Sequence, residues 1–218
     1  MNPAAPQPTQ TLAILGATGG TGKLLVQQAL DSGHRVIAIV RDPAKLDIAH
    51  DRLQIEVADV TNTANLRPLL KDADAVLSAL GSDGNDLCRR AMTAVLHALV
   101  DSRGTRIVAI SAQPVGRGDD GPALWQRLIL IPIIRLIYRK AYADLARMEA
   151  VLGASAAQWS VIRPPYLTDD PPTNAYKLRF DATPRGNLSI ARADLAQAML
   201  SILDDESTHR GFLGIASP

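Results

Sequence analysis

The segment Gly16-Ala17-Thr18-Gly19-Gly20-Thr21-Gly22 limits the fold most, because it follows a short apolar run, Thr11 to Leu15, and opens a helical pattern. An apolar run with no 3.6-residue period that stops at glycines reads as a strand buried on both faces. From Gly20 to Ser32, Leu24, Leu25, Gln28, Ala29 and Leu30 recur at helical spacing, and Gly33 supplies the left-handed residue that ends such a helix. Arg35 to Val40 is the next strand. Strand, glycine turn, helix and strand within about thirty residues make a βαβ unit, whose two strands run parallel. In such a turn Gly16 lets the chain reverse, Gly19 has no side chain to hold an approaching group away, and Gly22 lets the helix lie close on the sheet. Thr18, Gly20 and Thr21 complete the turn and the first helical residues, whose free N–H groups carry partial positive charge. A dianionic pyrophosphate fits that environment. The plainer alternative is a tight turn that binds nothing.

The alternation continues through an apolar segment Leu53 to Val57, a helix from about Ala64 to Leu70, a strand Ala75 to Leu80, a helix from about Asp86 to Val100 and a strand Arg106 to Ser111. Beyond the Gly- and Pro-rich loop 114–121 come helical stretches at 124–131 and 135–152, a sixth strand Trp159 to Ile162, a surface strand Tyr176 to Phe180 and a closing helix Arg192 to Leu203. The pattern predicts an α/β fold of the Rossmann-like, doubly wound parallel type, three layers in a single domain. With 218 residues, 47% of them apolar, the chain can bury one sizeable core and leaves little for a second domain. Residues 1–10 read as a flexible leader, 11–218 as the domain, 113–139 as a lid over its pocket and 164–180 as the substrate-side segment.

Several function classes drop out. Net charge is +1 with no basic run, which removes the electrostatic footprint for nucleic acid or an anionic membrane surface and leaves small molecules as partners. Leu124 to Tyr138 is interrupted by Arg127, Pro132 and Arg135, too often for a bilayer crossing, and the first ten residues lack the order of an export signal, so a cytoplasmic location is expected. His34, His50, His97 and His209 are scattered without ligand spacing, so no metal is expected. The single cysteine, Cys88, sits among apolar residues and reads as an inert buried thiol.

The end of the second strand bears on the nucleotide. A carboxylate there would meet a ribose 2′-hydroxyl, whereas a 2′-phosphate needs a cation. Val40 leads into Arg41, with Asp42 one place later and Lys45 near enough to assist. The planar guanidinium favours NADP(H). A one-residue change of register would bring Asp42 forward and leave NAD(H) possible. Asp59 and Val60, just past the third strand, are placed to meet the adenine edge.

These blocks, together with Leu80-Gly81, Asp144, Arg147-Met148, Arg163-Pro164-Pro165-Tyr166 and Pro172-Thr173-Asn174-Ala175-Tyr176, resemble the atypical short-chain dehydrogenase/reductases with NmrA-like members, and within them the branch of biliverdin-IXβ and NADPH-flavin reductases. The GxxGxxG spacing is the variant found in the extended members of that superfamily. The resemblance implies a monomeric domain with NADPH across the carboxyl ends of the strands, bordered by Leu80, Gly81 and Pro165. It also implies an open pocket for a flat conjugated acceptor such as a flavin, a quinone or a linear tetrapyrrole.

The chain departs from that branch in three places. Tyr166 stands where the branch has a histidine after the two prolines. A Ser111-Ala112 pair replaces two hydroxyl residues, and Ser82-Asp83-Gly84 replaces an arginine. Tyr-x-x-x-Lys, the acid-base pair of ordinary short-chain dehydrogenases, does not occur at Tyr138 or Tyr142, which are followed four places on by Tyr142 and Ala146. Hydride transfer to an electron-poor ring tolerates that loss, since the coenzyme carries the chemistry. Ser111 beside the nicotinamide and Tyr166 on the acceptor side are then the catalytic candidates. Ser111 is equally readable as a strand-end hydroxyl that satisfies the backbone. The rival function is an NmrA-like redox sensor that binds the dinucleotide without turning it over and signals to a protein partner.

Overall fold

The computed structural model describes residues 9–102, 104–115, 131–182, 184 and 189–217. Its centre is an eight-stranded sheet in the order β3-β2-β1-β4-β5-β6-β10-β8. The strands are β1 (Thr11–Leu15), β2 (Arg35–Val40), β3 (Leu53–Val57), β4 (Ala75–Ser78), β5 (Arg106–Ile110), β6 (Gln158–Arg163), β8 (Lys177–Phe180) and β10 (Gly211–Ala216). All neighbours pair in parallel except β8, which runs antiparallel to β10 at one edge. A separate parallel pair joins β7 (Tyr166–Thr168) to β9 (Ser189–Ala191).

Both faces of this sheet are covered, which explains the continuous apolar strands. In β1, Leu12 and Ile14 pack towards α1 (Gly20–Asp31) and α6 (Arg192–Ser201), while Ala13 and Leu15 face α2 (Thr63–Leu70), α3 (Leu87–Ala98) and α5 (Arg139–Gly153). None of these four side chains is exposed, and each large one stabilises the fold by about 1.5–3 kcal/mol. Because β1 lies between β2 and β4, the chain reverses its direction of winding there. In open parallel sheets a ligand crevice forms at such a switch, outside the carboxyl ends of the strands.

The sequence reading needs correction in three places. The strand expected to reach Leu80 ends at Ser78, where the chain meets the glycine turn. The helix expected over 135–152 is two helices, α4 (Ile131–Ile137) and α5, broken at Tyr138. The surface strand read at Tyr176 to Phe180 is β8, the antiparallel edge of the sheet. Strand β10 was not foreseen at all, because Gly211 and Gly214 dilute its apolar signal. The Phe180 ring lies over Gly211, where a Cβ would come within 2.1 Å of it and push this half-exposed ring aside. The proposed lid falls largely on 116–130, outside the described residues. Among the described residues no helix is long and apolar enough to cross a membrane.

His34, 1% exposed between α1 and β2, accepts a hydrogen bond from the Gln10 N–H at Nδ1 (3.3 Å), which puts its own proton on Nε2. Burial lowers its pKa below 6.5, outweighing the attraction of Asp204. A base whose folded pKa is depressed stays neutral in the fold but takes up a proton on unfolding. Its stability contribution is therefore complete above 6.5 and is lost as pH falls through the interval down to the folded value. Thermal melts between about pH 7.5 and about pH 5 are expected to show a falling Tm, with a shallower slope in His34→Gln, whose amide oxygen can still accept from Gln10.

Candidate functional site

Parallel register gathers the candidate residues along one edge. Leu15 lies level with Ile39 and Ser78, Val40 with Val57, Ser78 with Ala109, and Ile110 with Ile162. The residues that follow these strand ends are Gly16, Arg41, Asp59, Leu80, Ser111 and the Pro164-Pro165-Tyr166 step, so the sheet brings together what the sequence spreads over 150 positions.

The glycines of the first turn do different jobs. Gly16 has φ +77°, and a Cβ there would lie 2.8 Å from the Ala79 carbonyl, which fixes the turn against the end of β4. A Cβ on Gly22 would lie 2.0 Å from the Gly16 carbonyl oxygen, so this glycine seats the helix on its own turn. Gly19 is exposed and has no side chain to hold an incoming group away, while its own N–H is donated to the Gly16 carbonyl (3.0 Å), which closes the turn. Gly20 is occupied from the other side: a Cβ would lie 2.9 Å from Cδ and 3.0 Å from Nε of Arg192. Gly81 has open space around it, so crowding does not explain that glycine. Thr18 is half-buried and Thr21 buried beneath the turn.

Helix α1 begins with no side-chain cap and no acidic residue in its first turn. The N–H groups of Gly20, Thr21 and Gly22 lack helical acceptors by geometry, and they point where an anion can take them up. Helix α3 is treated otherwise. Asp144, wholly buried on α5, accepts from the N–H groups of Cys88 (3.1 Å) and Arg89 (2.9 Å) and from Ser82 Oγ (2.7 Å). A carboxylate borrowed from another helix thus closes the start of α3. Burial and this carboxylate push the Cys88 thiol well above its ordinary range, which removes it as a nucleophile. Asp144→Ala is expected to destabilise the protein by about 2–3 kcal/mol, read as a lower Tm, and to let Cys88 react with a thiol reagent that leaves the folded parent untouched.

At the adenosine end, Arg41 is exposed and makes no hydrogen bond or ion pair among the described residues. Its competitor is engaged: Asp42 Oδ1 accepts from the Ala44 N–H (3.2 Å), and Oδ2 lies 3.8 Å from Lys45 Nζ. That leaves the guanidinium as the available group after β2. Asp59 holds Thr61 through its N–H (2.9 Å) and its hydroxyl (2.8 Å), bonds that lower the carboxyl pKa. Val60 is 6% exposed with its side chain in the core, so only its main chain faces this edge.

At the other end, Ser111 donates its N–H to the Ile162 carbonyl (2.8 Å), and Gln113 donates to the Pro164 carbonyl (2.8 Å), clasping 111–113 to 162–164. The Ser111 hydroxyl is buried without a partner among the described residues. Strand-end backbone satisfaction therefore does not account for that hydroxyl. Pro165 is half-buried, and Tyr166 stands 75% exposed at the start of β7. The nearest ion pair is closed on itself: Arg163 donates from Nε and Nη2 to both Glu149 oxygens (2.9 and 2.7 Å) and lies 4.0 Å over the Phe212 ring. Sequence reasoning missed Arg192 and Asp169, which are joined at 2.8 Å, because neither carries a motif and only the packing of α6 on α1 brings Arg192 to the glycine turn.

An uncapped helix start behind a glycine turn, an open Gly19 and a free guanidinium fit a phosphate-bearing dinucleotide. Residues 16–206 match the NAD(P)H-binding family model, and the chain belongs to that family. The fold is that of Rossmann-type NAD(P)-binding proteins. The chain is 29% identical to an uncharacterized chloroplastic protein of Arabidopsis thaliana, over 93% of its own length and 75% of the relative's. It is 31% identical over 100 residues to a hybrid PKS-NRPS synthetase of Aspergillus violaceofuscus, where the match spans 45% of this chain and 2% of the synthetase. Among solved structures, a short-chain dehydrogenase/reductase of Veillonella parvula in complex with NADP superposes with TM-score 0.79 (19% identity, 96% of this chain and 95% of that one). A candidate epimerase of Bacteroides thetaiotaomicron gives 0.81 (21%, 96% and 97%), and a candidate NADH-flavin reductase of Streptococcus pneumoniae gives 0.75 (20%, 96% and 100%). At these identities the structures speak for the fold alone.

Proposed function

We propose that the protein is an NADPH-dependent reductase that passes hydride to a flat conjugated acceptor of the flavin, quinone or linear tetrapyrrole type. The observation that carries this reading is the character of the edge beyond β5 and β6. Among the described residues it offers a buried hydroxyl without a partner, Ser111, and an exposed phenol, Tyr166, while the neighbouring ionisable pair Arg163–Glu149 is spent on itself. Among the described residues such an edge can orient a ring but supplies no strong acid, which suits acceptors whose protonation can follow from solvent.

When bound, NADPH would supply the hydride. The α1 N–H groups would take its pyrophosphate, with no side chain at Gly19 to hold it off, Arg41 its 2′-phosphate, and the Asp59-Val60 main chain its adenine edge. Leu80, Gly81 and Pro165 would border it. Ser111 is the hydroxyl that would meet the nicotinamide side, and Tyr166 would stack on or hydrogen-bond to the acceptor. The acceptor is a small molecule, and the reading requires neither nucleic acid, nor membrane, nor a second copy of the chain.

The test is NADPH oxidation followed at its absorbance band with flavin, quinone and biliverdin acceptors. Turnover with at least one of them, reduced about tenfold or more in Ser111→Ala or Tyr166→Ala, is the expected result. Binding of oxidised and reduced coenzyme with similar affinity and no turnover of any acceptor would replace this reading with that of a dinucleotide sensor.

A further inference from the structure

Arg192, the first residue of α6, does not pack like a surface arginine. Its side chain lies along the first turn of α1, so close that a Cβ on Gly20 would meet its Cδ at 2.9 Å, its Nε at 3.0 Å and its Cζ at 3.8 Å. A glycine at the first position of α1 therefore leaves room for this arginine, whose guanidinium carbon lies 3.8 Å from that Cβ position on the same uncapped first turn that the pyrophosphate reading employs. A positive group set next to the positive end of a helix is unfavourable unless an anion joins them. The anion now present is Asp169, whose Oδ1 accepts from Arg192 Nη1 at 2.8 Å, yet this carboxylate is 87% exposed and Arg192 only 27%. An ion pair with one partner in water is worth little, about 0–1 kcal/mol, and a fully charged diphosphate can displace it.

We propose that Arg192 is a second cationic clamp for the diphosphate of the coenzyme, and that Asp169 holds this guanidinium in place until the diphosphate takes it over. The inference rests on the coenzyme site described above and adds to it a residue that no glycine motif indicates. Asp169 directly follows β7 and Arg192 directly follows β9, so the ladder between these two strands sets the carboxylate beside the guanidinium.

Calorimetric titration of the full chain with NADP and with NAD tests this, using the parent, Arg192→Gln, Asp169→Asn and Arg41→Gln, with a Tm recorded for each. Arg192→Gln should weaken both nucleotides by a similar factor, about tenfold or more, because the diphosphate is common to them, whereas Arg41→Gln should weaken NADP alone. Asp169→Asn, at a position too exposed to endanger folding, should bind both nucleotides as tightly as the parent or a few times more tightly. The inference is overturned if Arg192→Gln binds as the parent does, or if Asp169→Asn loses as much affinity as Arg192→Gln, since the pair would then be a structural brace. No heat from the parent with either nucleotide would overturn the coenzyme site itself and this inference with it; a parent that binds, with indifferent Arg192→Gln, overturns only the inference.

Discussion

Gly22→Ala is expected to lower stability by about 3 kcal/mol or more and to abolish coenzyme binding. The added Cβ would sit 2.0 Å from the Gly16 carbonyl oxygen, 2.8 Å from its carbon and 2.9 Å from Ala17 Cα, all of them backbone atoms that no rotamer change can move aside. Relief requires α1 to lift from its turn, which loosens the packing of Leu25, Val26 and Ala29 and misaligns the N–H groups at the helix start. For a chain of this length, about 3 kcal/mol corresponds to a fall in Tm of roughly 6–12 °C. Gly81→Ala is the control. It lies at the same edge, has open space around its Cβ position and should change stability by less than about 0.5 kcal/mol. Thermal melts of the two variants beside the parent decide the point; equal losses would show that the turn tolerates a side chain and that the packing account of Gly22 is wrong.

The second large effect is on coenzyme choice. Arg41→Ala should weaken NADP by about 10- to 100-fold, the worth of one charge-assisted contact of about 1.5–3 kcal/mol, and leave NAD within about threefold of the parent. Arg41 has no structural bond among the described residues to lose, so its removal should not disturb the fold, and the Tm serves as the check. Ratios of affinity for the two nucleotides in parent and variant give the answer directly. An unchanged ratio would mean that the 2′-phosphate lies elsewhere.

The layered α/β architecture was legible because strands buried on both faces must be apolar throughout. Leu12 to Leu15, Val36 to Val40 and Ile107 to Ala109 could belong to nothing but a covered sheet interrupted by helices. The coenzyme end of the site was legible for a related reason: the residues that follow parallel strands all emerge at one edge, so a glycine turn after β1 and an arginine after β2 become neighbours without any knowledge of packing. What escaped was set by tertiary contacts. Strand β10 has glycines at 211 and 214 and becomes a strand because β6 and β8 flank it and Phe180 fills the space over Gly211. Asp144 as a cap for α3 and Arg192 as a neighbour of Gly20 join residues 55 and about 170 positions apart, and no local pattern marks either. Ser111 and Tyr166 are legible as positions, while the lack of a partner for the Ser111 hydroxyl among the described residues is visible only in three dimensions.

A calorimetric titration of the parent protein with NADPH and NADH, at equal concentrations and ionic strength, addresses the central claim most directly. One-to-one binding of NADPH at least about tenfold tighter than NADH is the predicted result, because both share the diphosphate but only one carries the phosphate that Arg41 is free to meet. Absence of heat with either nucleotide, or equal affinity for the two, would contradict the account.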